Sequence, residues 1–339
     1  MNLWVLYNEA TCKTFKMNAV EYRKFFAKRF FGLEMEVGRE IHITKIQEVI
    51  SKNSFAPVKM TSYRATLNNN CWEVKHDGSC GKNIDKFGIN EGGYEVVSYK
   101  GSSIKDLSHI CYIGQKIKQA GCLVNKNCGL HLHVDISDFS TSQVGIMIAN
   151  WICIEKVLLQ AVPSVRKNNK FCTLLQTLRP KFRESVVSGS QVWNFYKPYS
   201  SKLHDNFDRR CTMNLVNFYR SLQLKTFQRP TVEFRFPEGT LVSQSIKNWS
   251  RILINFVNRM ASENLNLEIL QTVNLTKTLE ILGLGGDKHK FYLLSPGLHD
   301  SKIWLLKRII RYASYPHQEL IVEAKKILSL LENTDVSEG

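Results

Sequence analysis

The chain has 339 residues, 43% of them hydrophobic and 22% charged, enough apolar content for a buried core and too little bias for a disordered chain. Lysine and arginine outnumber aspartate and glutamate 46 to 30, a formal net charge of +16, which favours anionic partners such as nucleotide phosphates, carboxylate-rich substrates or nucleic acid. The opening MNLWVLYNEATCK has neither the basic start nor the apolar run of a signal peptide, and the longest apolar stretch, 144–162, carries Asn150, Glu155 and Lys156, so a buried helix is expected there rather than a membrane span.

In chain order, residues 18–30 read as a short amphipathic basic helix. Five segments alternate apolar and polar residues with a period of two, and each predicts a strand: Gly32–Val37, Trp72–Asp77, Gly93–Ser98, Gly129–Ile136 and Thr231–Phe236. Helical spacing covers Ser103–Ala120, Ser142–Ala161 and Ser243–Met260, the last with Ile246, Trp249, Leu253, Phe256 and Met260 on one face. Two more helices, Lys302–Ala313 and Gln318–Leu331, precede a polar tail, 333–339. The connectors are too irregular for a doubly wound parallel sheet. The expected class is α+β with a largely antiparallel sheet, helices packed on one face and a helical C-terminal region. The division expected is an N-terminal extension (1–30), a core (31–242) and the helical region (243–335).

The nine cysteines form no CxxC pair and no disulfide spacing, which points to reduced thiols in a cytoplasmic protein. Between Arg166 and Arg235 fourteen Lys/Arg stand against four Asp/Glu, so this segment is expected to face anions. Arg166, Arg179 and Arg183 are candidates for holding a substrate carboxylate. There is no P-loop, since GSCGK lacks the required spacing. GLGGDKH at 283–289 reads as a plain turn, and the stretch Gly81–Gly93 as either a mobile cover or a long hairpin connection.

Three strands share one device. In FGLEMEV, Glu34 and Glu36 face away from Leu33, Met35 and Val37; in GLHLHVDI, His131, His133 and Asp135 face away from Leu130, Leu132 and Val134; in TVEFRF, Glu233 and Arg235 face away from Val232 and Phe234. A single such strand means little. If the three are neighbours, their polar faces merge into one surface of carboxylates, imidazoles and a guanidinium. Carboxylates suit magnesium, whereas a mixed Glu/His shell also suits manganese or zinc. Arg235 beside a cation could meet a phosphoryl group in the transition state. Trp72, Asp77 and Ser79 of WEVKHDGSC and Glu95 of GGYEVVS add candidates from two further strands.

The ordered set FGLEMEVG, WEVKHDGS, GGYEVVS, GLHLHVD, the RRCTMNL segment and TVEFRFPEGTL resembles the amidoligase family, which is related to glutamine synthetase and glutamate–cysteine ligase. The resemblance spans roughly 30–242. It implies a curved antiparallel sheet of the glutamine-synthetase-like type and an ATP-dependent carboxylate–amine ligase acting through an acyl phosphate. It also implies ATP and Mg²⁺ (or Mn²⁺) as cofactors, and amino-acid, peptide or other small-molecule substrates. By the same resemblance Glu34, His131 and Glu233 hold the metal that bridges the ATP phosphates, and Glu36 and Glu95, with Asp77, the metal nearer the acceptor. His133 would contact a phosphate, Arg235 the transferred phosphoryl group, and Arg210 and Asn214 phosphate or substrate. One departure is Tyr99 after Ser98, where relatives often have proline.

Two other readings stay open on the residues alone: a zinc hydrolase using His131 and His133, and a basic nucleic-acid or anion binder. No specific nucleic-acid ligand and no membrane is expected. Nothing in the sequence fixes the substrates or the oligomeric state.

Overall fold

The computed structural model describes residues 4–5, 16–17, 29–60, 70–80, 92–167, 169, 172–175, 188–194, 208–224, 230–262, 274–285 and 298–336. Most of the expected basic helix (18–28), most of the 81–93 stretch, Arg179, Arg183 and part of the 283–289 turn lie outside them. Arg29 and Phe30 are extended rather than helical, because they lead directly into the next strand.

A two-residue pairing joins β1 (Trp4–Val5) to β2 (Lys16–Met17). The main sheet comprises β3 (Phe31–Val37), β4 (Val58–Met60), β5 (Trp72–Asp77), β6 (Gly93–Val97), β7 (Leu130–Asp135), β8 (Met213–Asn214) and β9 (Thr231–Phe234). These seven strands lie in the order β4-β5-β6-β3-β7-β9-β8. Only the β4–β5 pairing is parallel; the other pairings in this sheet are antiparallel. The fold is thus α+β with a mostly antiparallel open sheet, as the alternation implied.

Helices among the described residues include α1 (Ile43–Asn53), α2 (Ile104–Gln119), α3 (Thr141–Leu158), α4 (Ser164–Lys167), α5 (Val216–Gln223), α6 (Ser243–Ser262), α7 (Leu275–Ile281), α8 (Leu298–Tyr312) and α9 (Gln318–Val336). The apolar strand residues Leu33, Met35, Val37, Val96, Leu132, Val134 and Phe234 join the buried face of α2, α3 and α6 in one core that continues to Leu305 and Ala324. Each fully buried side chain of this size contributes about 1.5–3 kcal/mol.

The long apolar segment is the centre of that core. A window of Thr141–Ala161 is apolar enough for a membrane span, yet 94% of it is buried inside the protein. Ser140 and Gln143 close a capping box at its start, satisfying backbone donors that would otherwise be orphaned. Trp151 packs on Phe234, Phe236 and Phe256 and donates its indole N–H to Thr212 Oγ1 at 3.0 Å. Buried Glu155 accepts from the Thr212 hydroxyl (2.7 Å) and the Leu175 amide (2.9 Å), so its carboxylate is hydrogen-bonded rather than stranded. This pins the segment beside β8 and β9 to the back of the sheet.

Candidate active site

The polar device of the sequence is assembled by register. β3 lies between β6 and β7, and β9 follows β7. Glu34 stands opposite His131 and Glu36 opposite Glu95. His133 and Asn214 both stand opposite Glu233 from either side of β9. Directly opposed residues bring their Cβ atoms within about 4.5–5.5 Å, so one polar face converges across five strands.

The contacts are close. Glu34 lies between the two imidazoles: its Oε2 is 3.2 Å from His131 Nδ1 and its Oε1 is 3.0 Å from His133 Nε2. His131 Nε2 is 3.5 Å from Glu36, and His131 Nδ1 is 3.7 Å from Glu233. Arg235 forms an ion pair with Glu233 Oε1, while Asn214 Nδ2 donates to Glu233 Oε2 at 2.6 Å. The Gly129 amide donates to Glu36 Oε2 at 2.5 Å. Lys75 Nζ meets Glu95 Oε1 at 2.7 Å. Glu36, Glu95, His131 and Glu233 are all buried.

Burial and charge divide the protonation states. Burial works to raise the Glu34 carboxyl, but the His133 charge and the hydrogen bonds of both histidines outweigh it and hold the group well below the usual carboxylate range. Glu233 is likewise lowered, with Arg235 and His133 prevailing over burial. Burial, then Asp77, pushes Glu36 well up. Burial, then Glu34, pushes Glu95 up to about 8 despite Lys75. Burial and the Arg235 charge lower His131 to about 4; the half-buried His133 is raised to about 9, because Glu34 and Glu233 face it and outweigh its desolvation. At neutral pH this face therefore carries a neutral and a charged imidazole side by side, and carboxyls that resist ionisation unless a cation joins them.

The donor set fits a dication. Ligand atoms of Glu34, His131 and Glu233 all lie within 4.8 Å of one another, and two carboxylates with one imidazole are donors that a dication such as magnesium or manganese can accept. Glu36 and Glu95 face each other across the β3–β6 pairing, next to Asp77.

Other expected residues are placed differently. Asp77 Oδ1 accepts the Ser79 amide and hydroxyl, both at 2.7 Å, so Ser79 shapes the turn after β5 and its hydroxyl is engaged there. Trp72 is corrected: it is fully buried on the opposite, apolar face of β5, donates to Ser54 Oγ at 2.9 Å and packs on Tyr99. Alternation along β5 sets its side chain on the face opposite Lys75 and Asp77. Arg166 is also corrected. It is 1% exposed, with its guanidinium donating to the backbone carbonyls of Arg235 and Phe236. It is an internal brace, not an arm reaching for a substrate carboxylate. Asn214 also accepts the Val216 amide at 2.9 Å, locking the side chain that holds Glu233. Arg210 ends a short turn, and its carbonyl accepts the Thr173 amide at 2.7 Å.

Lys75, Cys80 and Cys128 join this region without having been singled out. Lys75 was readable: it shares the parity of Asp77 on β5. The two cysteines come from separate turns, and no spacing rule links them.

A family profile agrees with this geometry. The chain matches the family described as "Putative amidoligase enzyme" over residues 27–257, which includes every strand of the main sheet and most of α6. The chain belongs to that amidoligase family, and its class is that of the ligases. No curated protein matches it.

Proposed function

We propose that the chain is an ATP-dependent carboxylate–amine ligase that works through an acyl phosphate. The observation that carries the reading is the convergence of Glu34, His131 and Glu233 into one cation-sized cluster with the Arg235 guanidinium paired to it. A His/Glu triad for a dication and a fixed cation for a migrating phosphoryl group are the two parts that phosphoryl transfer needs. The glutamine-synthetase-like character of the sheet belongs to the same proposal, supported by the antiparallel order and the family match.

In this reading an acceptor carboxylate oxygen attacks the γ-phosphorus and ADP leaves. An amine nitrogen then attacks the acyl carbon, and phosphate departs with the electrons of the broken C–O bond. Glu34, His131 and Glu233 would hold one dication, and Glu36 and Glu95, with Asp77, a second on the acceptor side; such cations would supply neutralisation of phosphate charge. His133 is charged at neutral pH and donates to a phosphate oxygen. Arg235 offers its guanidinium to the transferred group, while Arg166 fixes the backbone that carries it. Arg210, three residues before β8, is assigned to phosphate or substrate. The substrates are small molecules, amino acids or peptides, and a reducing cytoplasm suits the free thiols of the described cysteines.

The zinc-hydrolase alternative needs His131 and His133 turned on one ion, whereas both flank Glu34 and leave Arg235 without a task. The test is ADP release from ATP in the presence of Mg²⁺ and pooled carboxylate acceptors with amines. Glu34→Ala and Arg235→Ala should each abolish it. Turnover that survives in both variants sinks the proposal.

A further inference from the structure

On the Asp77 side of Glu36 lies a second group, which shares Glu36 and Asp77 with the ligase reading and adds two thiols that the ligase chemistry does not use. Cys80 ends the turn after β5 and Cys128 ends the turn before β7. Both are buried and free, and their thiols hydrogen-bond to each other. Ligand atoms of Glu36, Asp77 and Cys80 all lie within 4.8 Å of one another. Two carboxylates and one sulfur therefore cluster, with the second sulfur bonded to the first, and the four residues come from three separate segments.

The spot is built rather than incidental. The Asn125 amide donates to Cys128 Sγ at 3.4 Å, a contact that favours a thiolate. The Asn125 side chain donates to the Cys80 carbonyl at 2.9 Å, tying the two turns together. Each cysteine is seated against a glycine that leaves no room for a side chain. A Cβ on Gly93 would fall 2.6 Å from Cys80 Cβ, and one on Gly239 would fall 2.6 Å from Cys128 Cβ. Asp77 is only partly buried, which leaves an entry path.

We propose that Cys80, Cys128, Asp77 and Glu36 bind a thiophilic dication of the zinc class. Tetrahedral zinc with bonds of about 2.0–2.3 Å needs ligand atoms roughly 3.3–3.8 Å apart, so the Glu36, Asp77 and Cys80 atoms, within 4.8 Å of one another, and the Cys128 thiol hydrogen-bonded to Cys80 would close in on the ion as it binds. Magnesium would not choose sulfur, and an all-oxygen site would not need it. Binding displaces both thiol protons and ties the β5 and β7 turns to β3. The ion would thus hold Glu36 in place from the side opposite His131. Glu36 and Asp77 are also the carboxylates assigned above to the acceptor side, so a thiophilic ion here would occupy that side; its binding draws on no nucleotide.

The test uses the full chain loaded with cobalt(II) as a spectroscopic probe, together with zinc content after purification without chelators. The expected result is about one equivalent of tightly held metal and a thiolate-to-cobalt charge-transfer absorption. The absorption should vanish in the double variant Cys80→Ser/Cys128→Ser and persist in Cys153→Ser, a buried cysteine elsewhere. Wild-type protein that takes up no metal overturns the proposal, as does metal binding without thiolate absorption, which would put the ion in the His/Glu triad. Thiolate absorption that survives in the double variant also overturns it. ADP release is measured separately, so failure of this site and failure of the ligase reading give different results.

Discussion

At the scale of single residues the site is a balance between burial and charge. Arg235 is the cation that holds Glu233 ionised. In the proposed chemistry Arg235→Lys keeps a charge but loses the planar fork, and should lower kcat by about 10–100-fold; Arg235→Ala should lower it by about 10³-fold or more, measured as ADP release at saturating ATP. Glu95 gives a pH prediction. Its carboxyl sits at about 8 in the fold against an ordinary value of 4.5. The folded state therefore binds more protons than the unfolded one between these values. Metal-free protein should lose stability as pH rises through that window, with a slope of up to about 1.4 kcal/mol per pH unit. Denaturant titrations from pH 5 to 8 should show the fall, with Glu95→Gln flattening it. An unchanged slope in Glu95→Gln would assign the effect to Glu36, which burial also pushes up. Much of this was legible in the sequence, since alternation alone put Glu34, Glu36, His131, His133, Glu233 and Arg235 on polar faces. Trp72 shows the reverse: its even position on β5 sets it opposite Asp77, so parity already excluded the pair from one surface. Arg166 could not be read, because nothing in PSVRKNN says that a guanidinium will be fully buried beneath a neighbouring strand.

At the scale of elements, the site depends on register rather than on any one strand. Gly129 is where β3 and β7 are tied: its amide bonds Glu36, and a Cβ there would fall 2.6 Å from Arg166 Nη2 and 2.7 Å from His131 Nε2. Gly129→Ala should therefore reduce activity by about tenfold or more while the protein still folds, with a stability loss of about 1–3 kcal/mol; thermal unfolding and ADP release read the two effects. The five long strands were predictable because each buries one face, the helices Ile104–Gln119 and Ser243–Ser262 because their apolar spacing is one-sided, and Thr141–Leu158 because its long run is apolar nearly all round. Val58–Met60 and Met213–Asn214 are too short for alternation to register. Ile43–Asn53 carries Ile43, Ile46 and Ile50 on one face, but it is capped by His42, which is not among the residues that usually mark a helix start. The neighbouring order of β3, β7 and β9 was the decisive unknown, because it depends on contacts between segments about a hundred residues apart.

At the scale of the whole molecule, sheet and C-terminal helices share one core. α6 lies against α2, α3 and β7, and α8 against α6, with Ile246, Trp249, Leu253, Phe256, Leu305 and Ile309 buried. Cutting the chain at 242 would strip these residues from the back of the sheet, so a 1–242 fragment should be insoluble or unfolded by circular dichroism. Leu305→Ala in the full chain should cost about 2–5 kcal/mol. The charge of +16 pointed towards an anion, and the polar face supplies a place for one in Arg235 and charged His133. The most direct measurement is trapping with hydroxylamine: the chain is incubated with Mg²⁺-ATP, a pool of carboxylate acceptors and hydroxylamine, and hydroxamate is counted against ADP. An acyl phosphate predicts hydroxamate in step with ADP, and neither product in Glu34→Ala. ADP released without hydroxamate, or hydroxamate formed equally by Glu34→Ala, would contradict it.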